Sequence, residues 1–374
     1  MIRKILGWLC LLVLFGILVA GLWPFHSPRN EVRWLGQGGG LFFGNHGSIV
    51  SAGSFGADAE LGRDSCSIEI WLEPKRVRSS GTILAFYQPE SQTTLFSMRQ
   101  SLGDLTLEHF NKNDSASRKR IKTYVDGVIS HLQPVLITIS SSQSGTAIFS
   151  NGALVRKFES FKVTSHDLTG RLLVGSSPVA ADAWSGKLQG LAIYDRALTA
   201  EEVSRHFANW SGEARPSLAK SEGAVALYLF NEGTGNVVHN HIDSATDLVI
   251  PERFVVLHGQ FLERPWNEFR PDLNYVKDIA INIGGFIPLG ILMYAYLSFQ
   301  RVAEHAIVST IAFGFAVSLV IEVTQAFLPT RNSGMTDLIT NTLGTAVGVT
   351  VCRSTVAQTI LAWFVPSQSL DSER

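Results

Sequence analysis

The sequence predicts a multi-domain membrane protein in which an all-β sandwich is inserted into a four-helix α-helical transmembrane domain. Three observations predict this architecture. Apolar residues fill positions 5–23, three more apolar spans cover 279–299, 304–327 and 336–352, and the Gly- and Ser-rich middle has short alternating runs. An apolar span of about 20 residues can cross a bilayer, whereas short alternating runs are typical of strands with one buried face.

Composition excludes two classes of site. The chain has 374 residues, enough for two or three domains, but a net charge of -1 and only 17% charged residues. It therefore lacks the basic surface that binds nucleic acid. The three cysteines, Cys10, Cys66 and Cys352, are too far apart in sequence to indicate a disulfide framework or a thiolate metal site. We predict no metal and no cofactor.

The first element is an N-terminal transmembrane anchor, residues 1–25. Arg3 and Lys4 precede its 19-residue apolar run. A cleaved signal peptide is the alternative, but its apolar region is usually shorter, and no A-x-A-like cleavage site follows. The basic residues predict a cytoplasmic N-terminus.

The middle of the chain predicts an antiparallel sandwich, because many short strands are separated by turn residues. The predicted strands are 41–44, 67–74, 81–87, 94–99, 105–110, 135–141, 146–152, 171–176 and 188–194. One helix interrupts them. Thr199 followed by Glu202 forms a capping box, which predicts a helix over TAEEVSRHFANW.

These strands carry a family resemblance. The segments GGLFFGNHGSIVS, SIEIWLEP, GTILAFY, ITISSSQSGTAIFSNGALV and LLVGSS, followed by WSGKLQGLAIYDRALTAEEV, resemble a bacterial LamG-like, concanavalin A-like jelly roll. The resemblance covers about 32–210 and implies an extracytoplasmic domain over 30–210 that binds carbohydrate or protein. Residues 211–275 are predicted as a linker. Within it, VALYLFNEGTGNVVHN resembles the family's opening strand, and either returns to complete the sheet or begins a second repeat.

A carboxylate pair in this domain admits two interpretations. Glu69 and Glu73 lie four apart in a predicted strand, so they share one face with Trp71. Two carboxylates beside an aromatic ring resemble a glycosidase cleft. A solvated strand face explains the pattern more simply, because the tight acidic motif of glucanases is missing.

The C-terminal spans predict a transmembrane domain over 276–374. If the N-terminus is cytoplasmic, the anchor leads outward and the three later spans alternate in direction. Arg301 and Arg353 then fall inside with the basic N-terminus, as the positive-inside rule expects. Arg331 is the exception, in the short outer loop LPTRNSGMT, which suggests that it has a specific partner such as Glu322.

Polar residues near the ends of these spans form the candidate ligand-binding site. They are Asp278, Asn282, Glu322, Gln325, Arg331, Ser333, Asp337 and Asn341. Such residues are costly in hydrocarbon, about 2.5–3.5 kcal/mol for a central Asp or Arg. Helix capping explains the aspartates and interhelical hydrogen bonds explain the asparagines equally well. DIAINIGG and DLITNTLG share the pattern D-[I/L]-x-x-N-x-x-G, which suggests an internal repeat.

A second resemblance covers residues 276–352. NIGGFIPLG and SLVIEVTQAFLPTRNSGMTDLITNTLGTAVG together resemble the VanZ-like membrane family. The recurring motif positions of this family fall on eight residues of this chain: Asn282, Pro288, Glu322, Gln325, Arg331, Ser333, Asp337 and Asn341. The resemblance implies a link to the bacterial cell envelope and to glycopeptide, chiefly teicoplanin, resistance. It also implies an additional first helix, which residues 5–23 supply.

The leading hypothesis is a multi-pass protein of the bacterial cytoplasmic (inner) membrane with both termini in the cytoplasm. Its outer polar pocket would bind an envelope lipid, a lipid-linked saccharide or a glycopeptide-like ligand, and its LamG-like domain a glycan or an envelope protein. One alternative is an intramembrane enzyme that uses Glu322 and Asp337 as acid and base. Another is a transporter or flippase. Oligomeric state and ligand identity stay open.

Overall fold

The computed structural model consists of two compact units. It describes residues 2–36, 39–56, 64–110, 120–179, 182–212, 222–259, 261–268, 273–298, 305–328, 330–331 and 333–354. One unit combines Met1–His26 with Gly259–Arg374 and is helical, and the other is the β-rich unit Ser27–His258. In the sequence, the β-rich unit therefore separates the first helix from the later ones.

The β-rich unit is a sandwich of two antiparallel sheets, as the alternating pattern predicts. Its strands are β1 (Val32–Trp34), β2 (Leu41–Phe43), β3 (Ile49–Ser51), β4 (Cys66–Pro74), β5 (Ser79–Gln88), β6 (Thr93–Leu102), β7 (Asp104–Phe110), β8 (Arg120–Val125), β9 (Val135–Ser142), β10 (Gly145–Ser150), β11 (Ala153–Phe158), β12 (Arg171–Val174), β13 (Gly186–Tyr194), β14 (Ala224–Tyr228), β15 (Val237–Val238) and β16 (Leu248–Val249). The first sheet has the order β1-β2-β13-β4-β9-β10-β11, with β14 also on β13. The second has the order β15-β16-β3-β12-β5-β6-β7-β8.

All nine predicted strands are present. The structure also contains weaker strands that were not predicted, among them β11, β15 and β16. β11 is almost wholly exposed, and β15 and β16 have two residues each, so none of them shows an apolar alternation. The segment that resembles the family's opening strand contributes to both sheets. Its strand β14 pairs with β13 in the first sheet, and its strand β15 pairs with β16, which pairs with β3 in the second sheet.

The core of the sandwich lies between the two sheets and follows the period of two along each strand. On β4, Ile68, Ile70 and Leu72 are at most 1% exposed and belong to the same apolar core as Phe86 and Phe96 of the second sheet. Each such side chain contributes about 1.5–3 kcal/mol on burial. Residues of β4 that point the other way, such as Glu69, face away from this core.

Helix α2 (Ala200–Ser211) covers part of the first sheet. It begins as the capping box predicts, since the Thr199 hydroxyl accepts from the Glu202 amide at 3.3 Å and the Glu202 carboxylate accepts from the Thr199 amide at 2.9 Å. Val203 of α2 packs with Tyr194 and Leu227 in a second apolar cluster on the outer face of the sheet. Two residues of β4 that face away from the core, Glu69 and Trp71, contact this helix through His206 and Phe207.

The two ends of the sandwich unit are paired with each other. Arg29 and Arg253 form an antiparallel bridge, and the Phe254 amide donates to the Pro28 carbonyl at 3.0 Å. The Asn30 side chain also donates to the Pro251 carbonyl at 2.8 Å. The chain therefore enters and leaves this unit at neighbouring positions, as an inserted domain requires.

In the part of the helical unit that the structure describes, there are four long helices and a short one. They are α1 (Ile2–Leu22), α3 (Pro265–Glu268), α4 (Leu273–Ser298), α5 (Ala306–Gln325) and α6 (Met335–Arg353). Helix α4 begins six residues before the predicted start at 279. Among the described residues, α1, α4 and α5 are long and apolar enough to cross a membrane, so the chain has the character of a membrane protein.

The prediction of four membrane spans is supported for three. Helix α6 has the predicted position but not the apolar composition of a span, because its sequence MTDLITNTLGTAVGVTVCR is rich in Thr and Gly. Those residues serve packing. The glycine-rich pattern of these helices predicts close contacts at Gly284, Gly285, Gly344 and Gly348. A Cβ added to Gly344 or Gly348 would collide with the backbone of α4, so both permit a close helix contact. The prediction is wrong for Gly284 and Gly285, where nothing lies within 4 Å of such a Cβ among the described residues.

Candidate functional site

Seven of the eight predicted site residues lie near one end of the helical unit, where α1 and α5 end and α6 begins. We call this set the polar cluster, and its members are Asn282, Glu322, Gln325, Arg331, Ser333, Asp337 and Asn341. Asp278 stands apart, because it is exposed on α4. Since α4 begins at Leu273, Asp278 is not in the first turn, and the interpretation of Asp278 as a helix cap is wrong.

Glu322 is the most buried acid of the cluster, at 1% exposure. Its carboxylate accepts a hydrogen bond from the Gly334 amide at 2.8 Å, and Gly334 is the residue immediately before α6. A buried carboxylate must be compensated, and a helix N-terminus supplies both amide donors and a favourable dipole. Glu322 therefore fixes the end of α5 to the start of α6.

Asp337 connects the two segments of the suggested repeat. It lies in the first turn of α6 and accepts a hydrogen bond from the Asn282 side chain at 2.7 Å. The contact joins the Asn of one repeat segment to the Asp of the other. It also holds α4 and α6 together at the polar cluster.

Two side-chain amides of the cluster donate a hydrogen bond through their nitrogen, whereas their oxygen atoms accept none from the described residues. The Asn341 side chain donates to the Ser318 hydroxyl at 3.0 Å, and the Gln325 side chain donates to the Gly21 carbonyl at 2.7 Å. Both amides are at most 7% exposed, yet Asn341 Oδ1 and Gln325 Oε1 have no hydrogen-bond partner among the described residues. Such groups are rare in proteins, because an unpaired buried acceptor costs about 1–3 kcal/mol.

Arg331 and Ser333 tie the loop before α6 to the backbone. The Arg331 guanidinium donates through Nε and Nη2 to the Trp23 carbonyl just after α1, so this cation has a backbone acceptor. Ser333 is fully buried, its hydroxyl accepts from the Leu262 amide at 3.2 Å, and its carbonyl accepts from the Glu263 amide at 3.0 Å.

The partners of Gln325, Arg331 and Asn341 in this cluster were not predicted from the sequence. The carbonyls of Gly21 and Trp23 belong to the backbone, so no residue type could have indicated them. Ser318 was detectable, because it lies four residues before Glu322 and therefore on the same face of α5.

The carboxylate pair of the sandwich has a structural explanation. Glu69 is fully buried under α2 rather than solvated, so the solvated-face interpretation is wrong for this residue. Its carboxylate accepts from the Tyr194 hydroxyl at 2.8 Å, from His206 Nδ1 at 3.0 Å and from the Trp210 indole at 3.2 Å. Glu73 instead pairs with Lys187 at 2.9 Å. The two carboxylates thus have different surroundings and separate partners.

Burial and charge shift the titration of the groups around Glu69. Burial raises the pKa of Tyr194, and the adjacent carboxylate raises it further. Burial alone would lower the pKa of His206, but the hydrogen bond and charge of Glu69, with the charge of Glu222, leave it raised. The guanidinium of Arg196, which precedes α2, lowers the pKa of Glu202 in the first turn of α2 to about 2. Among the described residues, no group of three or more His, Cys, Asp or Glu side chains could hold a metal ion.

Comparison with known families identifies both regions. Residues 46–204 match the family model of the concanavalin A-like lectin/glucanases superfamily, and residues 224–358 match that of VanZ/LLP1. The chain thus combines a LamG-like, concanavalin A-like domain with a VanZ-like domain, and both predicted resemblances are confirmed. The VanZ/LLP1 match begins at β14, within the sandwich unit.

Several solved structures resemble the chain at low identity. A SAP-like pentraxin from Limulus polyphemus has 14% identity and a TM-score of 0.36, with 62% of this chain and 94% of the pentraxin covered. The CBM40 of a Ruminococcus gnavus IT-sialidase, bound to alpha2,3 sialyllactose, has 12% identity and a TM-score of 0.34, with 45% and 95% covered. The binding domain of botulinum neurotoxin serotype D has 13% identity and a TM-score of 0.33, with 49% and 50% covered. No curated protein matches the sequence.

Proposed function

We propose that this chain is a bacterial envelope protein whose polar cluster binds the headgroup of an envelope lipid, a lipid-linked saccharide or a glycopeptide-like molecule. The observation that carries the proposal is the pair of buried, unpartnered amide oxygens, Asn341 Oδ1 and Gln325 Oε1, beside two carboxylates in a helical unit of membrane character. The LamG-like domain would bind a glycan or a protein.

The chemistry of the cluster favours a ligand with several hydrogen-bond donors. The two amide oxygens are acceptors, so they suit hydroxyl, amide or amine groups of a sugar or peptide. Glu322 and Asp337 add negative charge at the same end of the helices. Arg331 uses Nε and Nη2 on Trp23, and we assign Nη1 to an anionic group such as a phosphate.

The direction of the helices supports an outward-facing cluster. Arg3 and Lys4 at the start of α1 favour a cytoplasmic N-terminus. The bonds from Gln325 to Gly21 and from Arg331 to Trp23 bring the ends of α1 and α5 together within the helical unit. The end of α1 is then extracytoplasmic and the cluster with it. The sandwich follows α1 in sequence, so we propose that it is extracytoplasmic too.

A binding measurement on the full-length protein in nanodiscs tests the proposal. The probes are teicoplanin, a polyprenyl-pyrophosphate-linked disaccharide peptide, and phosphatidylglycerol as an ordinary lipid. We expect saturable binding of one of the first two, weakened about 10-fold by Asn341→Leu or Gln325→Met, since each removes one hydrogen-bond acceptor.

Thr324→Val is the matched control on α5. Thr324 is exposed and its hydroxyl bonds only to the Val320 carbonyl one turn earlier in the same helix, so binding should change less than about 2-fold. Melting temperatures of all three variants establish that the helical unit is intact. If neither probe binds more tightly than phosphatidylglycerol, or if the control weakens binding as much as Asn341→Leu, the proposed function is rejected.

A further inference from the structure

The helical unit has a cavity far from the polar cluster, near the end where α1 begins. Its volume is about 640 Å³, within the range of about 300–1,000 Å³ of small-molecule sites. The walls are mostly apolar and come from three helices, including Gly7 and Leu14 of α1, Met293 of α4 and Phe313 of α5. Along α1 the basic end of the cavity, at Arg3, lies roughly 27 Å from Gly21, because the two residues are 18 positions apart.

Two cations lie at the edge of the cavity. Arg3 and Lys4 both line it and both are exposed, so their charged groups remain solvated. The Arg3 guanidinium also lies 5.7 Å from the ring centroid of Tyr296, which lines the same cavity. This contact holds the positive charge over the cavity entrance.

We propose that this cavity binds one anionic phospholipid, with an acyl chain between α1, α4 and α5 and the phosphate on Arg3 and Lys4. The apolar walls fit a hydrocarbon chain, and the two adjacent cations complement a phosphate. Basic pockets between membrane helices favour anionic headgroups for the same reason. The site is independent of the polar cluster, since it shares no residue with it.

A phospholipid fits this cavity better than a soluble phosphate or a peptide. A soluble phosphate would use the two cations but leave the apolar volume unfilled. A peptide would bring backbone N–H and C=O groups into a membrane-spanning region, where each unpaired group is costly. A lipid fills the volume without introducing such groups.

Native mass spectrometry of the full-length protein in detergent tests the headgroup. Phosphatidylglycerol and phosphatidylcholine with identical acyl chains are titrated separately, and the dissociation constant of the first bound lipid is measured. We expect tighter binding of phosphatidylglycerol. The double variant Arg3→Gln/Lys4→Gln should weaken it about 30-fold, since each cation near a membrane surface contributes about fivefold.

Arg353→Gln is the matched charge control. Arg353 ends α6 at the same end of the helical unit, is exposed, and does not line the cavity. Its loss should leave the dissociation constant within about 3-fold. If the double variant has no larger effect than Arg353→Gln, attraction is a general surface effect and the proposed site is wrong.

The acyl chain is tested by filling the cavity. Cys10 lines it, whereas Leu12 is 68% exposed on α1 and does not. Cys10→Trp should abolish the selective binding and Leu12→Trp should preserve it, with melting temperatures confirming that both variants fold. Equal binding to the two variants overturns the proposal, and so does equal competition by glycerol 3-phosphate, which has the phosphate without a chain.

Discussion

Among the described residues, each unit of the protein contains one almost fully buried glutamate, and the two are compensated in different ways. Glu69 in the sandwich, at 0% exposure, receives hydrogen bonds from the side chains of Tyr194, His206 and Trp210. Glu322 in the helical unit, at 1% exposure, accepts from the backbone at the start of α6, next to amide oxygens that have no partner. The first surroundings are closed by side chains, whereas the second retain hydrogen-bonding capacity.

This difference separates the structural role of Glu69 from the binding role that we propose for the residues around Glu322. Three donors from β13 and α2 bond to Glu69, so its network holds the helix on the sheet. His206 Nε2, which has no hydrogen-bond partner among the described residues, lies 3.4 Å from the Glu222 carboxylate. Around Glu322, two buried amide oxygens have no partner among the described residues, and the hydroxyl- or amine-bearing ligand that we propose would relieve their cost. Burial of a carboxylate alone therefore does not identify a binding site. The hydrogen-bonding atoms around it must also be left without partners in the protein.

The largest expected effect comes from removing Glu69. Glu69→Ala leaves a buried histidine and two buried donors without their acceptor, so we expect the free energy of unfolding of the sandwich to fall by about 3–5 kcal/mol. Urea unfolding of the full chain followed by tryptophan fluorescence measures this, with Glu73→Ala as control. A loss below about 1 kcal/mol would show that the network around Glu69 does not stabilise the sandwich.

Glu322→Gln should have a smaller effect on stability. The glutamine oxygen can still accept from the Gly334 amide, and the negative charge at the start of α6 is lost, which costs about 1–2 kcal/mol at a helix N-terminus. The melting temperature of the protein in nanodiscs measures it. A destabilisation as large as that of Glu69→Ala would mean that Glu322 and Glu69 have equivalent structural roles, which would contradict the difference described between them.

The pH dependence of stability should distinguish the sandwich through His206. Its pKa is raised in the folded state, so the folded protein binds the proton more tightly than the unfolded chain. This contribution is complete below the unfolded value of about 6.5 and is lost as pH rises through the higher folded value. Urea unfolding at several pH values above 6.5 should show decreasing stability, and His206→Gln should remove most of that slope.

The smallest expected effect concerns Asp278. This residue shares the repeat pattern with Asp337 but is exposed, whereas Asp337 accepts from Asn282. Asp278→Asn should change the melting temperature and ligand binding within error, corresponding to less than about 0.5 kcal/mol. Asp337→Asn, measured in parallel, should lower both. A loss of binding in Asp278→Asn alone would place the ligand outside the polar cluster.

The fold was predictable wherever a local pattern reports burial. Nine strands and the start of α2 follow from alternation and from the Thr199 capping box. β11, which is nearly all exposed, gives no such signal. The composition of α6 was misleading in another way. Its threonines and glycines serve contacts with α4 and α5, and a hydropathy pattern does not distinguish a packed helix from a lipid-facing one.

The candidate site was predictable as a set of residues but not as a set of contacts. The polar residue types and their places near the ends of the helices are visible in the sequence. The bond between Asn282 and Asp337 depends on how α4 and α6 are aligned, which local spacing does not determine. The partners of Gln325 and Arg331 are carbonyl oxygens, which every residue possesses.

The insertion of the sandwich between α1 and the later helices has a consequence for biosynthesis. The hydrogen bond from Gln325 to Gly21 connects residues 304 positions apart. At about 5–20 residues per second, a ribosome needs roughly 15–60 s to make that stretch. Helix α1 must therefore persist without these partners until they emerge, and the sandwich has time to fold first. The polar cluster consequently assembles only after the sandwich has been synthesised.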